Sequence, residues 1–164
     1  MKPLVKNSFF LIAIIISINL LSIQNSQAQS PFDKMTNTKV NKILLREAYN
    51  VEGQLGNWQI EYKERLLLVI TDEDANRVRI MTPIVEQKKM DKDEMRTLLE
   101  ANFDRALDAK YSLFHDYVWS VYTHPLAELS VEQLKDAMKQ VVTLANNYGT
   151  TYTSTNFVFG GENN

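Results

Sequence analysis

The chain contains no cysteine, only five glycines and only two histidines in 164 residues. Without cysteine the fold must rest on its core and not on disulfides, and no lipid-modified cysteine can anchor an N-terminus. The five glycines are scattered, so there is no phosphate-cradling loop and no dinucleotide fingerprint; G-x-S-x-G is also missing. Lysine and arginine number 18 against 20 acids and nowhere cluster. Nucleic-acid binding needs concentrated positive charge, which excludes that class.

One long apolar run is present. In "MKPLVKNSFFLIAIIISINLLSIQNSQAQS", Lys2 and Lys6 precede an apolar stretch from about Phe9 to Ile23, and small and polar residues follow up to Ala28. This is the order of a secretory signal peptide, with cleavage expected after Ala28 and no stable membrane span left in the product. The expectation is an exported protein, periplasmic or secreted, of 136 residues. Its net charge moves from −2 to −4 with the loss of the two lysines. That length suits one domain with a sizeable core. Residues 29–38 read as a flexible leader, 39–149 as the domain and 150–164 as a polar tail.

Within the domain the period of the apolar residues changes several times. Val40, Ile43, Leu44 and Ala48 recur at helical spacing and predict a helix from Lys39 to about Tyr49, with Thr38 as its cap. Gly53 and Gly56 then break it. Trp58, Ile60 and Tyr62 alternate with polar residues, Leu66–Ile70 is a short apolar run, and Val78, Ile80 and Thr82 alternate again. These predict three antiparallel strands with turns near Lys63 and Asp72, and Pro83 leads out of the third. Asp91 and Glu94 form a capping-box pattern before Met95, Leu98 and Leu99, a second helix ending near Asn102. Ala109, Tyr111 and Leu113, then Tyr117 to Tyr122, predict a hairpin turning at His115-Asp116 and ended by Pro125. Ser130 and Gln133 open the last helix, about eighteen residues from Val131, with Gly149 at its end. The fold class is α+β, a twisted antiparallel sheet packed against helices in the order α-β-β-β-α-β-β-α.

The candidate chemistry is thin. Asp72, Asp74 and Asn76 stand at alternate positions as in a calcium loop, but Arg77 and Pro83 occupy the places that need glycine and a bidentate glutamate. A solvated turn is the better account. His115 and His124 lie nine residues apart without the close pairing and third ligand of a zinc site. No metal, cofactor or catalytic residue is assigned, and the protein is not expected to be an enzyme. The aromatic residues carry the remaining signal. In the run from 117 to 121, Tyr117, Trp119 and Val121 share one strand face, and Val118 and Tyr122 lie on the other. One face must cover the helices and the other can meet a partner, since aromatic residues dominate binding hot spots. Trp58, Tyr117, Trp119 and Tyr122 are the candidate partner-binding residues.

The element order, together with "LLEAN" at 98–102 and "HPLAELSVEQL" at 124–134, resembles the type III secretion chaperone-like superfamily. That superfamily includes the Tir-type chaperones and the YbjN family. The resemblance runs from Lys39 to Gly149. It implies a domain, often homodimeric, that binds protein or peptide segments at sheet edges and apolar grooves without turning over a substrate. Secretion chaperones act in the cytosol, whereas this chain carries an export signal. The expected function is therefore an exported adaptor or chaperone-like binding module of the bacterial envelope. A groove between sheet and helices for a small apolar or lipid ligand is the alternative.

Overall fold

A computed structural model describes residues 34–155. The predicted signal peptide, most of the leader and the end of the tail lie outside the described residues. The elements are α1 (Asn37–Glu47), β1 (Tyr49–Gln54), β2 (Asn57–Tyr62), β3 (Arg65–Asp72), β4 (Arg77–Glu86), a 3-10 turn (Gln87–Lys89), α2 (Lys92–Asp104), β5 (Lys110–Phe114), β6 (Tyr117–His124) and α3 (Val131–Asn146). All six strands join one antiparallel sheet in the spatial order β1-β2-β3-β4-β6-β5. The predicted α+β class is the observed one.

The sheet is amphipathic by alternation. Trp58 and Ile60 of β2, Leu67 and Val69 of β3, Val78 and Ile80 of β4, and Val118 and Tyr122 of β6 are all buried. They meet Val40, Ile43 and Leu44 of α1 and Leu134, Met138 and Val141 of α3 in one core. α3 is fixed at its start by a reciprocal capping box, Ser130 Oγ accepting from Gln133 N and Gln133 Oε1 accepting from Ser130 N. Asp91 and Glu94 do the same for α2.

Several boundaries depart from the sequence expectation. The cap of α1 is Thr36, whose hydroxyl accepts from Lys39 N, and not Thr38. Glu73 adds a carboxylate at the same helix start by accepting from Asn37 N, favourable at the positive end of the helix dipole. The end of the presumed leader is held in place: Met35 is buried and its N–H donates to Ala127 O. The helix stops at Glu47, and the stretch read as a break is β1, an edge strand pairing with β2. α2 continues to Asp104, α3 has sixteen residues, and Gly149 (φ 75°) lies beyond the Asn147 cap. Pro83 does not end β4. It lies opposite Trp119 where the register shifts before Val85, a bulge that tolerates its missing donor.

Two of the three two-residue hairpin turns place side-chain-bearing residues in the left-handed region: Lys63 and Glu64 (φ 48° and 63°), and His115 and Asp116 (φ 46° and 61°). Two-residue turns of this hand match the strand twist but favour Asn-Gly. The double variant His115→Asn/Asp116→Gly is therefore expected to gain about 1 kcal/mol in urea unfolding. A loss of stability would mean that His115 or Asp116 makes a contact that matters more than turn strain.

Candidate interaction site

The two sheet edges are not equivalent. In an antiparallel edge strand, every other residue turns its N–H and C=O away from the sheet. At β5 the outward residues are Tyr111 and Leu113, and the Asn102 side chain of α2 satisfies both backbone groups of Tyr111. Its Oδ1 accepts from Tyr111 N at 2.7 Å, and its Nδ2 donates to Tyr111 O at 3.0 Å. Asn102 thus imitates a neighbouring strand. Lys110 secures the arrangement by donating to the carbonyls of Asn102 and Ala106 at the end of α2. Desolvation there lowers the pKa of this ammonium. β1, by contrast, ends the sheet with β2 as its sole strand neighbour among the described residues. Apolar side chains lie exposed beside it: Tyr49 on the strand, Leu55 in the following turn and Leu45 on α1.

The face of the sheet opposite the helices is apolar along its middle. Leu66, Leu68 and Ile70 of β3 adjoin Met81 and Pro83 of β4, then Trp119 and Val121 of β6. Leu66 is 45% exposed and Ile70 38%. Trp119 is half-buried, and its indole N–H donates to Phe114 O at 2.9 Å, which fixes the ring over the β5–β6 hairpin. A third apolar area, on the outer side of α2 and the tip of the hairpin, exposes Leu99, Phe103, Leu113 and Phe114, Phe103 to 87%.

The four sequence candidates divide between the two faces. Tyr117 and Trp119 lie on the open face, as alternation allows. Trp58 and Tyr122 are in the core, which corrects their assignment to a partner surface. Trp58 is 2% exposed and donates its indole N–H to Asn41 Oδ1 at 2.9 Å. Tyr122 is covered from the helix side, and burial, followed by the nearby Asp108 and Asp136 carboxylates, raises its pKa. The physical reason is the pleat: 119 and 122 cannot share a face, and α3 covers the even-numbered side of β6.

Histidine chemistry finds no partner set. His115 sits in the turn before β6 and packs edge-on against Phe114, and His124 ends the strand, stacked on Tyr122 with its Nδ1 bonded to Pro125 O. The length of β6, roughly 25 Å, separates them. Among the described residues no three His, Cys, Asp or Glu side chains are grouped to hold a metal ion, and no helix is long and apolar enough to cross a membrane. The one dense polar cluster is structural. Gln140, buried in α3, accepts from Asp108 N and Ala109 N through Oε1 and donates to Asp108 and Asp136 through Nε2. Sequence reading passed over it, although a glutamine on the apolar stripe between Ala137, Val141 and Leu144 was a visible anomaly.

The fold has a counterpart among solved structures. A chain in a solved structure described as the HopA1-SchA chaperone-effector complex superposes on it with a TM-score of 0.54 over 68% of this chain and 90% of that one, at 14% sequence identity. No family model matches the sequence, and no curated protein is similar to it.

Proposed function

We propose that this protein is a non-catalytic, exported, chaperone-like module that binds extended segments of other proteins and works as a homodimer in the bacterial envelope. The observation that carries the binding reading is the asymmetry of the edges. β5 is blocked at Tyr111 by Asn102, while β1 offers backbone groups that no helix side chain covers in this way, beside exposed Leu45, Tyr49 and Leu55. An added strand would gain main-chain hydrogen bonds from the edge, and alternate side chains would gain from the apolar residues around it. A fold shared with a chain of a chaperone–effector complex supports the same reading. Export rests on Lys2, Lys6 and the apolar run before Ala28. Tyr117 and Trp119 belong to a second protein-contacting surface, the open face.

The test pairs hydrogen exchange with a peptide array of extended segments carrying alternate apolar residues. Bound peptide should slow exchange of the β1 amides, and Tyr49→Lys/Leu55→Lys should weaken binding about tenfold or more, because lysines blunt an edge. Protection confined to the groove between sheet and helices would instead favour a small-ligand site. Export is checked by the mass of the protein from its own cells, which should begin at Gln29.

A further inference from the structure

We propose that the cavity between the first turns of α3 and the end of β6 binds an organic cation, the primary ammonium group of an alkylamine. This site is separate from the β1 edge and from the open face of the sheet. The cavity has a volume of about 370 Å³ and is lined by Asp108, Tyr122, His124, Glu132, Gln133 and Asp136. Glu132 and Asp136 are one turn apart on α3 and share a helix face. Asp108, which precedes β5, is tied to that face by the Gln140 amide, which donates to Asp108 Oδ2 at 3.1 Å and to Asp136 Oδ2 at 2.7 Å. The bridge engages one oxygen of each carboxylate. The other, Oδ1, has no donor among the described residues.

Charge, an unpaired hydroxyl and size together select the ligand. Of the acids lining the cavity, none forms an ion pair among the described residues. Lys135 turns away to Glu47, 3.1 Å from its Oε1. Lys110 donates to the Asn102 and Ala106 carbonyls and acts on Asp108 only through space. The carboxylates also outweigh the roughly half positive charge of the helix start. The second observation is Tyr122. It is 5% exposed, yet its hydroxyl has no hydrogen-bond partner among the described residues. Buried hydroxyls normally find one, as that of Tyr111 does by donating to Leu144 O. Its ring lies parallel to that of His124, with centroids 6.1 Å apart. After burial, the Asp108 and Asp136 carboxylates are what raise its pKa, so all three groups share one neighbourhood. The last observation is spacing. Among the described residues no three acidic or histidine side chains are close enough to hold a metal ion, whereas the volume suits a small organic molecule. An ammonium brings three N–H donors, which match two carboxylate oxygens and the phenol oxygen. Its alkyl stem then lies along the Tyr122–His124 stack.

The test is titration of the purified, isotope-labelled protein with cadaverine at constant ionic strength, read from its amide chemical shifts, beside Tyr122→Phe and Glu132→Gln variants. The expected result is saturable shifts centred on Asp108, Tyr122 and Glu132. Tetramethylammonium, which has the charge without the N–H donors, should not reproduce them. Tyr122→Phe should raise the dissociation constant about tenfold, the effect of a hydrogen bond to a charged group, and Glu132→Gln about threefold, as for an exposed charge. The urea midpoint of Tyr122→Phe should stay at or above that of the wild type, because the hydroxyl has no protein partner to lose, so weaker binding cannot be put down to misfolding. Acetyl-Ala-Lys-Ala-amide separates two sources of the same group. Tighter binding than cadaverine would assign the ammonium to a lysine side chain of a polypeptide, and weaker binding to a free amine; both support the site. Shifts that never saturate, an equal response to tetramethylammonium, or a Tyr122→Phe protein that binds as the wild type does would overturn it. None of these results bears on strand addition at β1, which is tested separately.

Discussion

Replacing Trp58 by alanine should cost about 3–5 kcal/mol of folding stability, measured by urea unfolding. The ring is enclosed between the sheet and α1, and its indole N–H is paired with Asn41 Oδ1. Truncation removes the largest side chain among the fully buried residues and leaves the asparagine acceptor short of a partner. A domain of this size has a total stability on the order of 5–15 kcal/mol, so the loss takes a large share of it. Trp58→Phe separates the two contributions: it retains most of the ring and should lose about 1–1.5 kcal/mol. If Trp58→Ala unfolded at the wild-type midpoint but bound partners poorly, Trp58 would be a surface residue after all.

The second large effect is expected at Gln140. Gln140→Leu is close in volume but strands two backbone donors, Asp108 N and Ala109 N, and takes away the amide that Asp108 and Asp136 share. A loss of about 2–4 kcal/mol follows from unpaired buried donors. Gln140→Glu should be informative in another way. It places a third carboxyl beside two others in a buried site, so its folded pKa is raised above the unfolded value near 4.3. Stability held by the protonated form is then present at acid pH and declines as pH rises through the raised pKa. Relative to wild type, this variant should be least deficient near pH 4 and most deficient at pH 7. A pH-independent difference would show that position 140 is open to water.

Five of the six strands were legible before any coordinates. β2, β4 and β5 show apolar residues at period two, while β3 and β6 stand out as continuous runs, Leu66–Ile70 and Tyr117–Tyr122. β1 escapes because "YNVEGQ" is exposed at five of its six positions and half-buried at Val51; an edge strand of that kind carries no burial signal for the sequence to record. Helix starts were legible where side chains do the capping, as at Asp91 and Ser130. The start of α1 was misread by two residues because Thr36 and Thr38 are equally good caps and tertiary contacts, Met35 to Ala127 and Asn37 to Glu73, choose between them.

The candidate site was legible only in part. The odd and even residues of β6 separate into two faces by geometry alone, but nothing local says which one the helices cover. Tyr117 and Trp119 were placed together correctly; Tyr122 was grouped with them because it too is aromatic. The closure of β5 by Asn102 was out of reach, since it depends on the packing of α2 against a strand nine residues further along the chain.

That closure has a consequence for growth. Edge-to-edge assembly extends without limit only when each subunit offers two open edges, one to receive and one to present. Here Asn102 occupies the backbone groups of Tyr111 at the middle of one edge, so an incoming strand could pair there only after displacing it, and pairing through β1 tends to stop at two molecules. A protein built to leave one strand edge bare can in this way carry a sticky end without becoming the seed of a fibril.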